Sequence, residues 1–271
     1  MKSPFLDTAL AAADAAGEII RKAYRGKFKV RYKADASPVT EVDEAAEAAI
    51  KKVLRKKFPR HGFYGEETGF DRGAARRGGG QDNIDAEYLW LVDPIDGTKG
   101  FVRGYPMFSV QIALMHRGAL VLGVSHAPCF EGGETLHAEA GRGAWRGTER
   151  IRASDITRIE KATLSTGNLA TLADSPGWAR LGALIPKLHR IRGYGDFLHY
   201  HYLAEGKLDA VVESDVNILD IAALAVIVGE AGGTFTDLAG KPVGLATRSV
   251  LATNGALHAP LRKALGAAPH R

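Results

Sequence analysis

Two stretches near the start of the chain place apolar residues at the three- and four-residue spacing of an amphipathic helix. The first covers residues 5–24 and the second covers residues 45–58. Helices present one face to a core at this spacing, so both stretches are predicted to be helical. Pro59 ends the second helix, and the apolar pair Phe63-Tyr64 that follows predicts a short strand.

Strand-like runs dominate the next part of the chain. They cover residues 88–92, 108–115 and 120–126. Turn residues stand at Arg117-Gly118 between two runs and at Glu131-Gly132-Gly133 after them, so the runs predict an antiparallel meander. Residues 70–85 have no periodicity and predict a loop long enough to act as a lid. The first half of the chain therefore has an α+β pattern.

After about residue 150 the pattern changes to strands that alternate with helices. Strands are predicted near residues 163–166, 190–192, 210–212 and 249–253, and helices near residues 178–188, 197–203, 221–230 and 257–265. Such alternation is typical of α/β structure. We therefore predict one compact unit built from two halves, residues 1–150 and residues 151–271.

Composition restricts the class of protein. The chain has 271 residues, 45% of them hydrophobic, which is enough to bury a full core. Its single cysteine, Cys129, excludes an internal disulfide framework and indicates a reducing compartment. The first residues lack the apolar core of a signal peptide, and no apolar run is long enough to span a bilayer. We therefore expect a cytoplasmic protein that does not bind membranes.

The formal net charge of +5 raises the question of nucleic-acid binding. Lysine and arginine are spread along the chain, apart from small clusters in residues 51–57 and 72–77, so most of them are interpreted as solvated surface. A basic rim for anionic substrates is a second interpretation. A nucleic-acid or transcription-complex partner with a vestigial catalytic site stays as an alternative, which a steep loss of binding with added salt would identify.

Residues 90–99, with the sequence WLVDPIDGTK, are the most informative segment. An apolar strand ends there in two carboxylates, because Pro94 cannot continue the sheet ladder. Asp93 and Asp96 are then delivered to an exposed strand end, where hard cations can reach their carboxylate oxygens. Gly97 permits close approach of an anion, and the Thr98 hydroxyl can orient a water molecule. A plain turn after a buried strand is the alternative.

Further carboxylates stand where predicted elements begin or end. The full set is Asp43, Glu66, Asp93, Asp96, Glu213 and Asp220. Several carboxylates brought within a few ångströms cannot all ionise without compensation, so a cluster of them implies divalent cations, most simply Mg²⁺. Taken singly, each has a structural alternative: Asp43 and Glu66 as surface acids beside helices, and Asp220 as a helix N-cap.

The same residues exclude several other phosphatase chemistries. A cysteine phosphatase needs an arginine six residues after its thiolate, whereas Thr135 stands six residues after Cys129. A haloacid dehalogenase-like phosphatase needs a second aspartate two residues after its nucleophile, whereas Asp93 and Asp96 are three residues apart. A phosphoaspartate intermediate is therefore not expected.

Two other candidate motifs are rejected. Gly193-Tyr194-Gly195 lacks the further glycine of a dinucleotide-binding fingerprint, and no Walker lysine loop is present in the sequence. His199 and His201 are two residues apart and would share a metal only on a strand, so we interpret them as polar positions on a helix.

Five segments in this order form a specific pattern: Thr40-Glu41-Val42-Asp43, Gly65-Glu66-Glu67, residues 90–98, Asp220-Ile221-Ala222-Ala223 and Glu230-Ala231-Gly232-Gly233. On these segments, and over nearly its whole length, the chain resembles the inositol monophosphatase-like family of Mg²⁺-dependent, lithium-sensitive phosphatases. The resemblance implies a layered αβαβα sandwich of the inositol monophosphatase and fructose-1,6-bisphosphatase type, assembled as a homodimer. Leu219 stands where the family commonly has tryptophan, so altered packing is expected there.

The resemblance also implies two or three Mg²⁺ ions per active site. The ligands would be Glu66, Asp93 and the Ile95 carbonyl at one ion, Asp93, Asp96 and Asp220 at a second, and Asp43 near a weaker third. Residues 1–150 would thus supply most metal ligands, and residues 151–271 would supply the distal ligand and the residues that select the substrate.

Catalysis in such a site would depend on a metal-activated water that attacks the phosphate directly. The catalytic residues would be Glu66, Thr98 and Asp43, with Glu66 and Thr98 positioning the water. The backbone N–H groups of Gly97 and Thr98 would bind the phosphate. The substrate-binding set implied for the whole site is Asp96, Gly97, Thr98, Arg192, Asp196, Glu213 and Asp220.

Two segments resemble the histidinol-phosphate phosphatase branch: residues 99–104 and residues 192–197. In that branch a carboxylate faces the substrate at the position of Asp196, and histidinol phosphate carries an ammonium group that inositol phosphate lacks. Glu213 would then bond a hydroxyl or amine of the substrate, and Arg192 would hold the phosphate or orient Asp196. A helix N-cap is the structural alternative for Asp196.

The predicted reaction is therefore hydrolysis of L-histidinol phosphate to L-histidinol and phosphate, a step of histidine biosynthesis. Inositol 1-phosphate and 3′-phosphoadenosine 5′-phosphate stay as alternative substrates, the second because Lys99 is also found in the branch that hydrolyses it.

Overall fold

The computed structural model describes residues 2–34, 38–73 and 86–266. In these residues the α-helices are α1 (Pro4–Ala23), α2 (Glu41–Lys57), α3 (Thr98–Arg103), α4 (Leu169–Ala173), α5 (Trp178–Leu184), α6 (Asp196–Ala204), α7 (Ile218–Glu230) and α8 (His258–Leu265). The strands are β1 (Val30–Tyr32), β2 (Pro38–Thr40), β3 (Gly62–Gly65), β4 (Gly69–Asp71), β5 (Tyr88–Asp96), β6 (Ser109–His116), β7 (Ala119–Ala127), β8 (Glu134–Glu139), β9 (Ala144–Arg146), β10 (Glu149–Ile151), β11 (Thr163–Thr166), β12 (Arg190–Arg192), β13 (Ala210–Ser214), β14 (Thr234–Thr236) and β15 (Ser249–Thr253). None of the described helices has the length and apolar character needed to cross a membrane.

The two long N-terminal helices begin at side chains that cap their first turns. Ser3 accepts a hydrogen bond from the Leu6 amide at 3.2 Å, which starts α1. Thr40 caps α2, and Asp43 returns the bond by accepting from the Thr40 amide at 2.8 Å. Both predicted helices are confirmed, but α2 starts earlier than its apolar periodicity, because the cap and not the periodicity sets the first turn.

Helices and sheets alternate in layers. Helices α1 and α2 pack against one face of an eight-stranded sheet with the order β10-β9-β8-β7-β6-β5-β3-β4. Helices α6 and α7 lie on its other face and separate it from a five-stranded sheet with the order β12-β11-β13-β15-β14. Helices α5 and α8 cover the far face of this second sheet. The predicted αβαβα layered fold is confirmed.

The predicted meander is confirmed and is longer than expected. Strands β5 to β10 pair antiparallel with their neighbours in chain order. Residues 70 and 71, predicted to begin a loop, instead lie in β4, which pairs antiparallel with β3. The cause is that β4 has only three residues and forms through its pairing with β3, a partner that the local pattern of residues 70–85 does not reveal. Residues 74–85 of the predicted loop, and with them the predicted lid, lie outside the described residues.

The alternation predicted after residue 150 is also confirmed. Strand β11 pairs in parallel with β12 and β13, and helices α5, α6, α7 and α8 fall between or after the strands as expected. Strand β15 pairs antiparallel with β13. The division of the chain at residue 150 stays a prediction.

Helix α7 forms the centre of the middle layer. It contacts β5 to β8 of the first sheet and β14 of the second. On β7, a Cβ atom at Gly123 would lie 2.3 Å from the Ala223 carbonyl oxygen of α7. The absent side chain therefore allows the helix to pack directly against the sheet.

Four rings form a stack beside the first sheet. The centroids of Phe58, His61, Tyr88 and His116 are 4.7, 4.7 and 4.3 Å apart in that order. The Trp90 indole donates a hydrogen bond to His61 Nδ1 at 3.1 Å, so this nitrogen carries a lone pair. Burial, followed by the charges of two nearby arginines, lowers the pKa of His61 to about 4.

This histidine makes stability depend on pH. Its folded-state pKa of about 4 lies below its ordinary value of 6.5, so the unfolded chain binds the proton first as pH falls. We expect the free energy of unfolding to fall by about 1 kcal/mol between pH 7 and pH 5, after allowance for partial exposure of the ring. Denaturant melts of the wild type and of His61→Phe measure it. The variant keeps a ring in the stack, so its pH slope should be shallower, and identical slopes would contradict the prediction.

Candidate active site

Strand β5 continues through Pro94 to Asp96, so the prediction that Pro94 ends this strand is wrong. An irregularity in its pairing with β6 brings two aspartates to one face. Asp93 pairs with Gln111 and Asp96 pairs with Ser109, so three steps along β5 match two steps along β6. One extra residue in a strand is a β-bulge. Residues three apart in a regular strand point to opposite faces, whereas the bulge places both carboxylates on the same side.

A third aspartate reaches the same point from α7. Asn217 caps this helix, and the Asp220 carboxylate accepts from the Asn217 amide at 3.0 Å and from its side-chain Nδ2 at 2.6 Å. Asp220 is thus the third residue of a capping box and not the N-cap itself. Carboxylate oxygens of Asp93, Asp96 and Asp220 lie within 4.8 Å of one another.

Glu66 follows β3 and faces this group. Its amide donates to the Val92 carbonyl at 3.2 Å, which fixes the turn to β5. The Lys33 ammonium lies 2.8 Å from a carboxylate oxygen of Glu66 and 2.8 Å from one of Glu67. Sequence analysis missed Lys33, because a single lysine far from any motif resembles any surface cation.

The electrostatics of the group favour a bound cation. Burial above all, and then repulsion by neighbouring carboxylates, raises the pKa of Asp93 and of Asp96 well above the ordinary range. Burial and nearby Glu66 also raise the pKa of Asp220 to about 7. Ionised carboxylate oxygens accept hydrogen bonds but donate none, so they are good ligands for a hard divalent ion. The residues therefore fit Mg²⁺.

Asp43 lies behind this group and contacts Thr98. It is 1% exposed, and its Oδ2 accepts from the Thr40 hydroxyl at 2.5 Å. The Thr98 hydroxyl lies 3.2 Å from Asp43 Oδ1 and 2.9 Å from the Ile95 carbonyl oxygen. A hydroxyl has one proton and two lone pairs, so Thr98 can give its proton to this side and accept a bond from the other.

The three aspartates of the group, Glu66 and Thr98 line a cavity of about 380 Å³, whose lining does not include Asp43. The predicted residues in its lining are Glu66, Asp93, Ile95, Asp96, Gly97, Thr98, Asp196, Glu213 and Asp220. Gly97 has φ +85°, and a Cβ atom there would lie 2.5 Å from the Met107 carbonyl oxygen, so only glycine fits. The volume suits a small phosphate ester.

The C-terminal half supplies the opposite wall of the cavity. Asp196 is the first residue of α6, and its removal from water together with the nearby Glu213 raises its pKa to about 6. Glu213 Oε2 accepts from the Tyr200 hydroxyl at 2.6 Å and pairs with His199 Nε2 at 3.1 Å. Tyr200 also lines the cavity and was missed by sequence analysis, because an aromatic residue in an apolar helix is typical of a core.

The helix predicted to carry His199 and His201 is confirmed as α6. Both side chains are polar positions that lie inside the protein, with 0% exposure. His201 Nδ1 contacts Glu134 at 2.6 Å and its Nε2 contacts Ser125 at 2.7 Å. Acidic and hydroxyl partners from distant strands allow both rings to be buried.

Arg192 and Leu219 lie outside the lining of this cavity. Arg192 is exposed at the end of edge strand β12, where it donates to the Ile191 carbonyl at 2.7 Å, and it is not in the cavity lining. Its substrate role stays a prediction. Leu219 is 5% exposed and lines a second cavity of about 280 Å³, whose lining also includes Glu66.

A family model for the inositol monophosphatase family matches residues 1–269. The chain is 38% identical over 262 residues to a histidinol-phosphatase from Mycobacterium tuberculosis. The aligned region covers 92% of this chain and 93% of that protein. It is 36% identical over 221 residues to a fructose-1,6-bisphosphatase/inositol-1-monophosphatase from Thermotoga maritima, and this alignment covers 81% of this chain and 79% of that protein.

Among solved structures, the extragenic suppressor protein suhB from Bartonella henselae superposes with a TM-score of 0.86 at 31% identity. The superposition covers 97% of this chain and 99% of that one. The match of the family model over the chain and the superposition of the fold therefore point to the same group of proteins.

Proposed function

Because the chain belongs to the inositol monophosphatase family of phosphatases, we propose that it hydrolyses a small phosphate monoester with Mg²⁺, and that L-histidinol phosphate is its preferred substrate. We further propose that it acts as a homodimer. The substrate proposal depends on the observation that two sets of carboxylates line one cavity. The aspartates near Glu66 suit a metal ion, and Asp196 with Glu213 suits an amine.

The charge of the cavity favours a substrate that brings a positive group. Among the residues that the structure describes, the lining includes seven carboxylates and one lysine, Lys99. Glu66, Asp93, Asp96 and Asp220 are the proposed metal ligands, together with the Ile95 carbonyl. Three carboxylates are then left on the substrate side: Asp196, Glu213 and Asp215. Their charge repels a second phosphate and attracts an ammonium group.

Each group in the cavity has a role in the proposed hydrolysis. Mg²⁺, when bound, supplies positive charge beside the phosphoryl oxygens and acidifies water. The Thr98 hydroxyl, with its proton directed to Asp43 or to the Ile95 carbonyl, accepts a hydrogen bond from the attacking water, and Glu66 orients it. The backbone N–H groups of Gly97 and Thr98 bind the phosphate. Asp196 and Glu213 bind the amine and hold the ester in line with the water.

The water attacks phosphorus directly in this proposal, and no residue is phosphorylated. The bond from the water oxygen to phosphorus forms as the ester P–O bond breaks, and the alcohol leaves with a proton that the attacking water gives up. Removal of divalent ions with a chelator should abolish activity, and Mg²⁺ should restore it. Labelling of an aspartate by substrate phosphate would contradict the direct route.

The names of the relatives support a phosphatase of this family more strongly than they support any one substrate. One relative is a histidinol-phosphatase, and another is a fructose-1,6-bisphosphatase/inositol-1-monophosphatase. Inositol 1-phosphate therefore remains the main competing substrate. It is neutral apart from its phosphate, so it would leave Asp196 without a charged partner.

Substrate preference is tested by measuring kcat/KM for L-histidinol phosphate, inositol 1-phosphate and 3′-phosphoadenosine 5′-phosphate. We expect the first ester to be hydrolysed fastest, because only it brings an ammonium group to Asp196. Asp196→Asn should reduce the preference by about 1.5–3 kcal/mol, the size of a charged hydrogen bond, which is roughly 10- to 150-fold in kcat/KM.

Inositol 1-phosphate provides the control within the same experiment. Its turnover by Asp196→Asn should stay close to that of the wild type, which shows that the metal site is intact. Equal rates on all three esters would indicate a general phosphomonoesterase, and preference for the nucleotide would contradict the role of Asp196.

A further inference from the structure

A buried glutamate on α2 contacts the turn that presents Glu66. We propose that Glu47 is a positioning residue, which fixes residues 65–68 and thereby sets the place of the Glu66 carboxylate in the cavity. The proposal rests on the proposed function in one respect, namely that Glu66 is taken as a metal ligand.

The contact is made by both carboxylate oxygens. Glu47 is 1% exposed. Its Oε2 accepts from the Glu67 amide at 2.8 Å, and its Oε1 accepts from the Thr68 amide at 2.9 Å. Burying a carboxylate is costly, so it is found where its hydrogen bonds are well made. Two consecutive amides bonded to one carboxylate leave the turn little freedom.

The neighbouring glycine shows how closely the carboxylate approaches the backbone. A Cβ atom at Gly65 would lie 2.5 Å from Glu47 Cδ and 2.5 Å from its Oε2. Any side chain at this position would displace the carboxylate, so Gly65 and Glu47 act as a matched pair.

Glu66 lies between these fixed points. On one side its own amide donates to the Val92 carbonyl of β5 at 3.2 Å, and on the other side the next two amides bind Glu47. The backbone of Glu66 is therefore anchored both to the strand that carries Asp93 and to α2. Groups that orient a ligand from behind commonly change metal affinity by 10- to 100-fold when altered.

The position of Asp43 strengthens the argument. Asp43 and Glu47 lie four residues apart on α2 and are both buried, so one face of this helix contacts Thr98 and the Glu66 turn together. Helix α2 thus orients the two groups that are proposed to position the attacking water.

The first test uses Glu47→Gln, which keeps the shape of the side chain. Glutamine can accept one of the two amide bonds, but its NH₂ group then faces the other N–H. In the metal-free protein we expect the Glu67 and Thr68 amides to exchange hydrogen at least about tenfold faster. Mg²⁺ affinity, measured by calorimetric titration, should weaken by about 10-fold or more, with KM for the ester changed much less.

Glu44→Gln is the matched control. Glu44 is an exposed acid on the same helix, and it pairs with Arg31. The control removes the same charge from α2 without altering a contact to residues 65–68. Neither the exchange of the Glu67 and Thr68 amides nor the Mg²⁺ affinity should therefore change.

A second pair of variants keeps the proposal testable if Glu47→Gln is unstable. In the wild-type background Gly65→Ala should have the same effects as Glu47→Gln, because the new Cβ atom displaces the Glu47 carboxylate. In a Glu47→Ala background the same change should have little further effect. Additive effects would overturn the pairing of the two residues.

Two results would overturn the role of Glu47. One is unchanged amide exchange and Mg²⁺ affinity in Glu47→Gln. The other is faster exchange spread evenly over β3 and α2, which is the mark of a merely structural residue. Failure of the proposed function is distinguishable, because it would appear as absent Mg²⁺ binding in the wild type, while the exchange of the Glu67 and Thr68 amides would still test Glu47.

Discussion

Replacing Asp93 by asparagine is expected to lower kcat/KM by at least about 10³-fold, the largest effect of any single substitution in the site. Asp93 is 3% exposed and lies at the centre of the carboxylate group, with Asp96 and Asp220 oxygens within 4.8 Å. The resemblance to the family implies that it would contribute to two metal positions. An amide has no charge and one ligand oxygen, so both proposed metal positions are weakened together.

The same substitution should leave the fold intact. Asp93 is repelled by Glu66, Asp96 and Asp220, so removing its charge relieves repulsion when no metal is present. Thermal melting in chelator should therefore be equal to or higher than that of the wild type. Asp14→Asn, an exposed position on α1, is the control for both measurements. Near-normal turnover of Asp93→Asn at saturating Mg²⁺ would contradict the proposed mechanism.

Thr98→Ala is expected to lower kcat by about 10²-fold or more while KM changes little. The substitution keeps the backbone N–H but removes a hydroxyl that lies between Asp43 and the Ile95 carbonyl. The attacking water then loses its acceptor, whereas the phosphate keeps its backbone donor. Steady-state kinetics on one ester, at saturating Mg²⁺, separate the two effects.

Thr98→Ser is the conservative control, because it restores the hydroxyl and should recover most of the activity. If Thr98→Ala instead raises KM with kcat unchanged, Thr98 binds the substrate and does not position the water.

Long elements of this fold could be predicted because each repeats its pattern several times. Residues 5–24 show five turns of helical spacing, and β5, β6 and β7 each continue for eight or nine residues. Strands β1, β4 and β14 have three residues each and are not predicted, because so short a run shows at most one alternation. Their existence depends on a partner strand that the local sequence does not contain. Strand β12 is equally short and is predicted only as part of the alternation of strands with helices.

The residues of the site also divide into those that a local motif predicts and those that only the folded chain brings together. Asp93, Asp96 and Thr98 lie within one short motif, so their chemistry could be predicted from residue types alone. The bulge could not be predicted, because it is defined by the pairing of β5 with β6. Lys33 with Glu66 and His201 with Glu134 are pairs separated by 33 and 67 residues, and only the folded chain brings them together.

The close packing of α7 on β7 has a consequence for how substitutions in this protein are to be interpreted. Asp220 lies in the first turn of α7, so the distance between it and Asp93 depends on how deeply the helix is seated. That depth depends on Gly123, where a single methyl group would meet the Ala223 carbonyl oxygen. One helical turn is 5.4 Å, and a displacement much smaller than this would separate carboxylates that now lie within 4.8 Å. Loss of turnover is therefore weak evidence that an altered residue touches the substrate, because a residue deep in the middle layer can produce the same loss in a fully folded protein.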